Sequence, residues 1–223
     1  GLLSQILSLY ITILQNCSSL NYCNLVTDTL NELFINIPEI PSDCVTLIPN
    51  LIHALVKCSS FPESLFVSNS QGCDDEDMMH KLRLSCQDVT LSLASSSVGV
   101  FTIASSLISI TGSIAIQESV LCLFRGIVDS IEESLLSLFV DSPFQDDSLN
   151  FRITKRADIP TTPVVTKYDE ILEYVYQHMN EYTVHPILLS TALQVMFSFD
   201  NWTFSRRDLC QHLFTYVLSA CSS

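Results

Sequence analysis

The chain has 223 residues, of which 48% are apolar and only 15% carry a charge. This composition excludes an intrinsically disordered chain, because disordered chains are rich in charge and poor in apolar side chains. Ten basic residues against twenty-four acidic ones give a net charge of −14. An acidic chain repels phosphate backbones, so we expect no direct binding to nucleic acid and favour protein partners with a basic surface.

The nine cysteines are scattered and show neither a CxxC pair nor another zinc-ligand spacing. Most of them fall on the apolar sides of predicted helices, where a free cysteine behaves as a small hydrophobic residue. We therefore expect a reducing compartment and an intracellular protein, cytoplasmic or nuclear. Because the chain begins with glycine, we expect it to be a piece of a longer protein.

Helical periodicity dominates the first sixty residues. The first predicted helix has an apolar face formed by Leu2, Leu3, Ile6, Leu7, Tyr10, Ile13 and Leu14. A second helix is predicted to end before Pro38, since proline cannot continue the hydrogen-bond ladder. The third predicted helix has an apolar face and a polar face, formed by Leu47, Ile48, Leu51, Ile52, Leu55 and Val56 and by Asn50, His53 and Lys57, respectively.

An acidic run follows a predicted loop over residues 59–73. It consists of Asp74, Asp75, Glu76 and Asp77, which we interpret as a solvated helix start and as candidate contacts to a partner. The helix that it opens has Met79, Leu82, Cys86, Val89 and Leu93 on its apolar side. A further helix over 117–140 is predicted to point Phe124 and Ile127 inward and Glu118 and Arg125 outward.

Residues 98–116 form an uncharged run of nineteen residues. That length is enough for a membrane span, which needs about twenty apolar residues. The run lacks flanking basic and aromatic residues, so we favour a buried core helix and keep a membrane anchor at 98–116 as the alternative. Its hydroxyl residues recur at helical spacing and predict one narrow stripe along that helix.

Residues 141–166 include three prolines and show no sustained periodicity, which predicts a flexible connection. The connection divides a block at 1–140 from a three-helix block at 167–223, which we expect to dock on the first. In the second block, Pro186 suits the first turn of a helix. Arg206 and Arg207 open another predicted helix and are candidate contacts to an acidic partner.

No catalytic pattern is present in the sequence. Five glycines leave no glycine-rich phosphate loop, and neither GxSxG nor HExxH occurs. We therefore expect no enzymatic activity, no catalytic residue, no metal site and no cofactor.

The predicted helices begin near residues 2, 22 and 44, so that alternate helices are about forty residues apart, as in some helical repeats. The pattern resembles an α-solenoid of the HEAT/armadillo kind over residues 2–140 and, less clearly, 167–221. We predict an all-α fold of stacked antiparallel helical hairpins, either HEAT-like or an irregular bundle. The resemblance implies a scaffold for protein–protein interaction, a helical-repeat fragment of a larger intracellular protein.

Overall fold

The computed structural model describes residues 1–37, 39–63, 76–140 and 185–198, together with Tyr174, Gln211 and Thr215. For Glu76, Asp129 and residues 131–140 the backbone alone is described. Within these residues lie eight helices: α1 (Leu2–Asn16), α2 (Leu20–Asn36), α3 (Ser42–Val45), α4 (Ile48–Ser59), α5 (Glu76–Ala94), α6 (Val100–Ile108), α7 (Ile114–Val140) and α8 (Pro186–Ser198). The described part of the chain has no strand, which confirms the all-α prediction.

A first layer of helices consists of α1, α4 and α6, with α4 in the middle. Near the ends of two of these helices, Lys57 Nζ of α4 donates a hydrogen bond to the carbonyl oxygen of Gln15 in α1, at 2.8 Å. At their other ends, Asp43 in α3 accepts a hydrogen bond from the nitrogen of Gly1. The C-terminal ends of α1 and α4 are therefore adjacent, and the residue before α1 contacts the short helix that precedes α4, so α1 and α4 run in the same direction.

A second layer consists of α2, α5 and α7. Three hydrogen bonds join α2 to α5 in the same order along both helices, from Asn24 to the carbonyl of Met78, from Ser85 to Asp28 and from Ser92 to Asn31. The order of these contacts shows that the two helices are parallel. On the other side of α5, Gln87 Nε2 donates to the carbonyl of Cys122 in α7 at 2.7 Å.

The core lies between the two layers. Helix α1 packs on α2, α4 packs on α5, and α5 also contacts α6. The largest fully buried side chains are Phe124, Leu7, Leu14, Leu30, Ile48, Leu51, Ile52, Leu55 and Leu82. Each contributes about 1.5–3 kcal/mol by leaving water. Sequence periodicity placed most of these residues correctly, and the five residues predicted on the apolar side of α5 are all buried.

Glu118 corrects the prediction for α7. Its side chain was expected to point outward, but Glu118 is only 1% exposed. The guanidinium of Arg83 pairs with it through two hydrogen bonds, at 2.8 Å and 2.6 Å. A charge can be buried when an opposite charge and hydrogen bonds compensate its lost hydration, and these compensate Glu118.

The uncharged run at 98–116 is not one helix, so the prediction of a single core helix is wrong. Gly99, at a φ of 79°, precedes α6, which ends at Ile108, and α7 begins only at Ile114. The break contains Thr111 and Gly112, residue types that weaken helices. The hydroxyl stripe on α6 faces outward, while Val100, Ile103, Ala104 and Leu107 are buried.

This break also divides the alternative span at 98–116 into two helices. Among the residues that the structure describes, no helix is both long and apolar enough to cross a membrane.

Contacts within the chain define two compact units, Gly1–Ile127 and Val128–Ser223. Both layers, up to Ile127 of α7, belong to the first unit. In the second unit, α8 begins at Pro186 as predicted and buries Leu188, Leu189, Ala192, Val195 and Met196. The predicted connection at 141–166 lies outside the described residues, and the proposed docking of 167–223 stays a prediction.

Candidate protein-binding surface

The outward side of α2 combines apolar and acidic residues. Leu25, Asp28, Glu32 and Ile35 recur at helical spacing, and all four are exposed. Leu25 is 63% exposed and Ile35 is 60% exposed, although leucine and isoleucine are among the residue types most often buried. The helix buries its opposite side, through Val26, Leu30 and Phe34 among others, so these outward residues are not required for its packing.

The outward side of α5 has the same mixture. Asp77, Lys81, Leu84, Asp88 and Leu91 lie at steps of three and four residues and are exposed. Together the two stripes form what we call the acidic–apolar face, whose members are Leu25, Asp28, Glu32 and Ile35 of α2 and Asp77, Leu84, Asp88 and Leu91 of α5. Lys81 is a basic residue on the α5 stripe.

Asp28 joins the two stripes. Its Oδ1 atom accepts a hydrogen bond from the Ser85 hydroxyl at 2.7 Å, which places Asp28 beside the middle of α5. Asp88 lies one turn beyond Ser85 on α5, and the negative charge of Asp28 raises the pKa of its carboxyl group. Asp88 follows Ser85 by three residues on α5, and Leu84 lies on the same outward stripe as Asp88.

The electrostatic consequence falls on Asp88. Partial burial raises the pKa of its carboxyl group above the usual value, and the nearby charge of Asp28 raises it further. A lysine or arginine placed between the two carboxylates would relieve this repulsion.

A buried polar cluster lies on the side of α5 that faces α7. Arg83 Nη1 donates to the carbonyl of Ser59 at 2.9 Å, and the guanidinium carbon lies 4.2 Å from the centroid of the Phe61 ring. The same guanidinium pairs with Glu118, so that α4, α5 and α7 meet at one side chain. Ser119 adds a hydrogen bond from its hydroxyl to the carbonyl of Val56 at 2.8 Å. This cluster fixes α5 and, with it, half of the face.

Gly126 allows α7 to approach α5 closely. A Cβ atom at this position would lie 2.9 Å from Cβ of Gln87 and 3.3 Å from its Cα. Only glycine permits this separation without a shift of one helix.

Two buried cysteines, Cys23 and Cys86, have raised thiol pKa values. Burial raises the pKa of the Cys23 thiol to about 11, with smaller contributions from Cys58 and Cys17. The pKa of the Cys86 thiol is also raised, by its hydrogen bond with Cys58 and by burial. Such thiols stay protonated at neutral pH and are weak nucleophiles. In the described part of the chain, no group of three or more His, Cys, Asp or Glu residues is placed to hold a metal ion.

The candidate contacts predicted from sequence are only partly visible. Asp77 is exposed in the first turn of α5 and belongs to the acidic–apolar face. Glu76 begins α5, but its side chain lies outside the description, as do Asp74 and Asp75 entirely. Arg206 and Arg207 also lie outside the described residues. Whether these residues contact a partner stays a prediction.

Sequence reasoning missed the junction of Asp28 with Asp88. Sixty positions separate the two residues, so neither local spacing nor helical periodicity indicates that they share one surface. One signal was available in the sequence: leucines at 25, 84 and 91 fall on otherwise polar helix sides.

Comparison of the chain with protein-family models, with curated proteins and with solved structures gave no match.

Proposed function

We propose that the chain is a non-enzymatic scaffold that binds a basic protein partner through the acidic–apolar face. The observation that carries the proposal is the hydrogen bond from Ser85 to Asp28, which joins the outward stripes of α2 and α5, together with the exposure of Leu84 and Leu91 on the α5 stripe. A complementary partner would place lysine or arginine next to apolar side chains. One side of a basic amphipathic helix has this chemistry.

The leucines and the carboxylates would contribute differently. Burying a leucine at an interface stabilises the complex by about 1.5–3 kcal/mol. An exposed ion pair contributes only about 0.2–1 kcal/mol. We therefore assign most of the affinity to Leu25, Leu84 and Leu91, and we assign the choice of partner and the association rate to the carboxylates.

The arrangement of helices supports a scaffold of the HEAT/armadillo kind. Parallel neighbours in each layer, joined through antiparallel hairpins, are the architecture by which such proteins build long binding surfaces. Hydrogen-bonded residues are 42 positions apart in the sequence between α1 and α4, 57 positions apart between α2 and α5, and 35 positions apart between α5 and α7. These unequal values describe irregular units.

The proposal includes the candidate contacts and the compartment. The run Asp74, Asp75 and Glu76 leads directly into Asp77 and would extend the acidic end of the face. Arg206 and Arg207 are proposed as a separate contact to an acidic surface. The six cysteines whose state is described are unpaired, and this supports a reducing compartment, in the cytoplasm or nucleus.

Affinity capture followed by mass spectrometry tests the apolar half of the proposal. The bait carrying Leu84→Ser and Leu91→Ser should lose the partner that the wild-type chain captures. A matched bait carrying Val45→Ser and Ile114→Ser changes exposed apolar residues outside the face and should retain it. Equal capture by both baits contradicts the proposal.

A charge-matched pair of baits tests the acidic half. Glu32→Gln with Asp88→Asn neutralises two carboxylates on the face, whereas Glu39→Gln with Glu63→Gln neutralises two exposed carboxylates in the connections. We expect the first bait, and not the second, to release the partner at lower salt than the wild type does. Identical salt dependence would show that only net charge matters.

A further inference from the structure

Two cysteines from different helix layers are in contact in the core of the first unit. Cys58 lies near the end of α4 in the first layer, and Cys86 lies in the middle of α5 in the second. Their Sγ atoms are 3.7 Å apart, so that one thiol can donate a hydrogen bond to the other. A disulfide requires the two sulfurs to approach to about 2.05 Å, which side-chain rotation with a small shift of the helices can provide.

The two thiols differ in their access to solvent. Cys86 is fully buried, whereas Cys58 is partly exposed and can be reached by a soluble oxidant. The hydrogen bond with Cys58 and burial raise the pKa of the Cys86 thiol, which therefore stays protonated and does not start such a reaction. The pair combines an accessible sulfur with a second thiol beside it, as a redox-sensing cysteine and its resolving cysteine do.

Two further buried cysteines lie near the pair. Cys23 of α2 is within electrostatic range of Cys58, and Cys122 of α7 is within range of Cys86. Each has a hydrogen-bond partner of its own. The Cys23 thiol donates to a backbone carbonyl at 3.7 Å, and Cys122 Sγ accepts a hydrogen bond from Gln87 Nε2 at 3.2 Å. We therefore expect oxidation to join Cys58 to Cys86 and neither of them to a third cysteine.

We propose that Cys58 and Cys86 form a reversible redox site, at which a peroxide converts the two thiols to a disulfide between the helix layers. With hydrogen peroxide, the Cys58 sulfur attacks one oxygen, the O–O bond breaks, and Cys58 becomes a sulfenic acid as one water leaves. The Cys86 sulfur then attacks the Cys58 sulfur and the S–O bond breaks. The hydroxyl group takes the proton of Cys86 and leaves as a second water.

The reaction is balanced, because the two thiols lose two electrons and one peroxide is reduced to two waters. Two molecules of a small thiol reverse it by exchange and become a disulfide themselves. In a reducing compartment the bond would thus be transient, as in redox sensing.

The disulfide would tie α4 to α5 across the core. A cross-link of this kind restricts the unfolded chain, so the oxidised protein should be more stable than the reduced one. The redox site is independent of the acidic–apolar face, because Cys86 lies on the buried side of α5.

Peptide mapping of the folded chain after brief treatment with hydrogen peroxide tests the proposal. The remaining thiols are alkylated, and the protein is digested with trypsin and with an endoproteinase that cleaves after acidic residues. Cleavage after Glu63 and after Asp88 separates Cys58 and Cys86 from the cysteines that follow them in the sequence. We expect a cross-linked peptide pair containing Cys58 and Cys86, absent before treatment and after reduction. The oxidised chain should melt at least about 5 °C above the reduced one.

Three variants, each checked for folding by circular dichroism, separate the roles of the two sulfurs. Cys58→Ser should lose the cross-link. Cys86→Ala should leave Cys58 as a sulfenic acid, which a diketone reagent labels, because the resolving thiol is gone. The matched control, Cys44→Ala, removes another fully buried thiol, in α3, and should form the cross-link as the wild type does.

The proposal is overturned by a wild-type chain in which Cys58 and Cys86 both remain thiols under peroxide. Oxidation of Cys58 without a bond to Cys86, or cross-links formed equally with other cysteines, also overturns it. These outcomes are read from the wild-type chain, so the test stands even where a variant fails to fold. A disulfide that leaves the melting temperature unchanged contradicts the stabilising tie between the layers.

Discussion

The two helix layers of the first unit pack in the same way but present different chemistry to their surroundings. Helices α1, α4 and α6 contain no aspartate or glutamate, and α4 presents Asn50, His53 and Lys57. On α4 and α6, among the described residues, no large apolar side chain is exposed. The second layer instead presents the acidic–apolar face on α2 and α5.

This difference separates the demands of folding from those of binding. Both layers satisfy the same requirement, which is to bury one apolar side of each helix against the other layer. The first layer meets this requirement with hydroxyl and amide groups on its outward side, and its exposed leucines among the described residues are Leu2 and Leu9 of α1. Packing of the two layers therefore does not depend on Leu84, Asp88 or Leu91, which are exposed, and we propose that they bind a partner.

The largest expected effect concerns the ion pair beneath the second layer. Glu118→Ala leaves the Arg83 charge buried without its partner, which should destabilise the chain by about 3–5 kcal/mol. The matched change in the first layer, Lys57→Ala, removes an exposed hydrogen bond to Gln15 and should cost no more than about 1 kcal/mol. Urea unfolding of both variants measures the difference. Equal losses would show that the Arg83 cluster does not fix α5.

A smaller effect is expected where α5 and α7 approach each other. Gly126→Ala gains about 1 kcal/mol of helix propensity but introduces a Cβ that overlaps Gln87, and overpacking costs about 1–3 kcal/mol. We expect a net loss of about 1 kcal/mol. In the first layer, Ser105→Ala on the exposed side of α6 should leave stability equal or slightly higher. Thermal unfolding distinguishes them, and a stabilised Gly126→Ala variant would contradict the close contact.

The smallest effect concerns the repulsion between Asp28 and Asp88. Since the pKa of Asp88 is raised in the folded chain, the folded state binds this proton more tightly than the unfolded state does. Stability is therefore lost as the pH rises through the raised pKa. Asp88→Asn should raise the free energy of unfolding by about 0.5 kcal/mol or less at neutral pH. Below the usual aspartate pKa of about 3.9, the substitution should leave it unchanged. A gain that persists at low pH would assign it to another cause.

Much of the local structure followed from the sequence, because a helix that buries one side repeats apolar residues at fixed steps. Periodicity identified the buried sides of α4 and α5 and the start of α8 at Pro186. Periodicity failed to predict the helix break within residues 98–116. No charged residue marks the break in this run, which contains Thr111 and Gly112 between the two helices.

The relations between helices could not be predicted in the same way. Arg83 and Glu118 lie thirty-five positions apart, and each alone has the signature of a solvated helix residue. Asp28 meets Ser85 across fifty-seven positions. Such pairs form only between helices that pack against each other. Because the spacing between the helical units is unequal, the single sequence does not indicate which helices are neighbours.

The central claim is that the second layer, and not the first, binds a basic amphipathic segment. Fluorescence anisotropy with a labelled helical peptide of leucine and lysine tests it, against a scrambled peptide of the same composition. The amphipathic peptide should bind the wild type and an Asn50→Ser, His53→Ser variant equally, and should bind Leu84→Ser, Leu91→Ser at least about tenfold more weakly. Equal weakening in both variants, or equal affinity for the scrambled peptide, would contradict the account and leave only general attraction to an acidic protein.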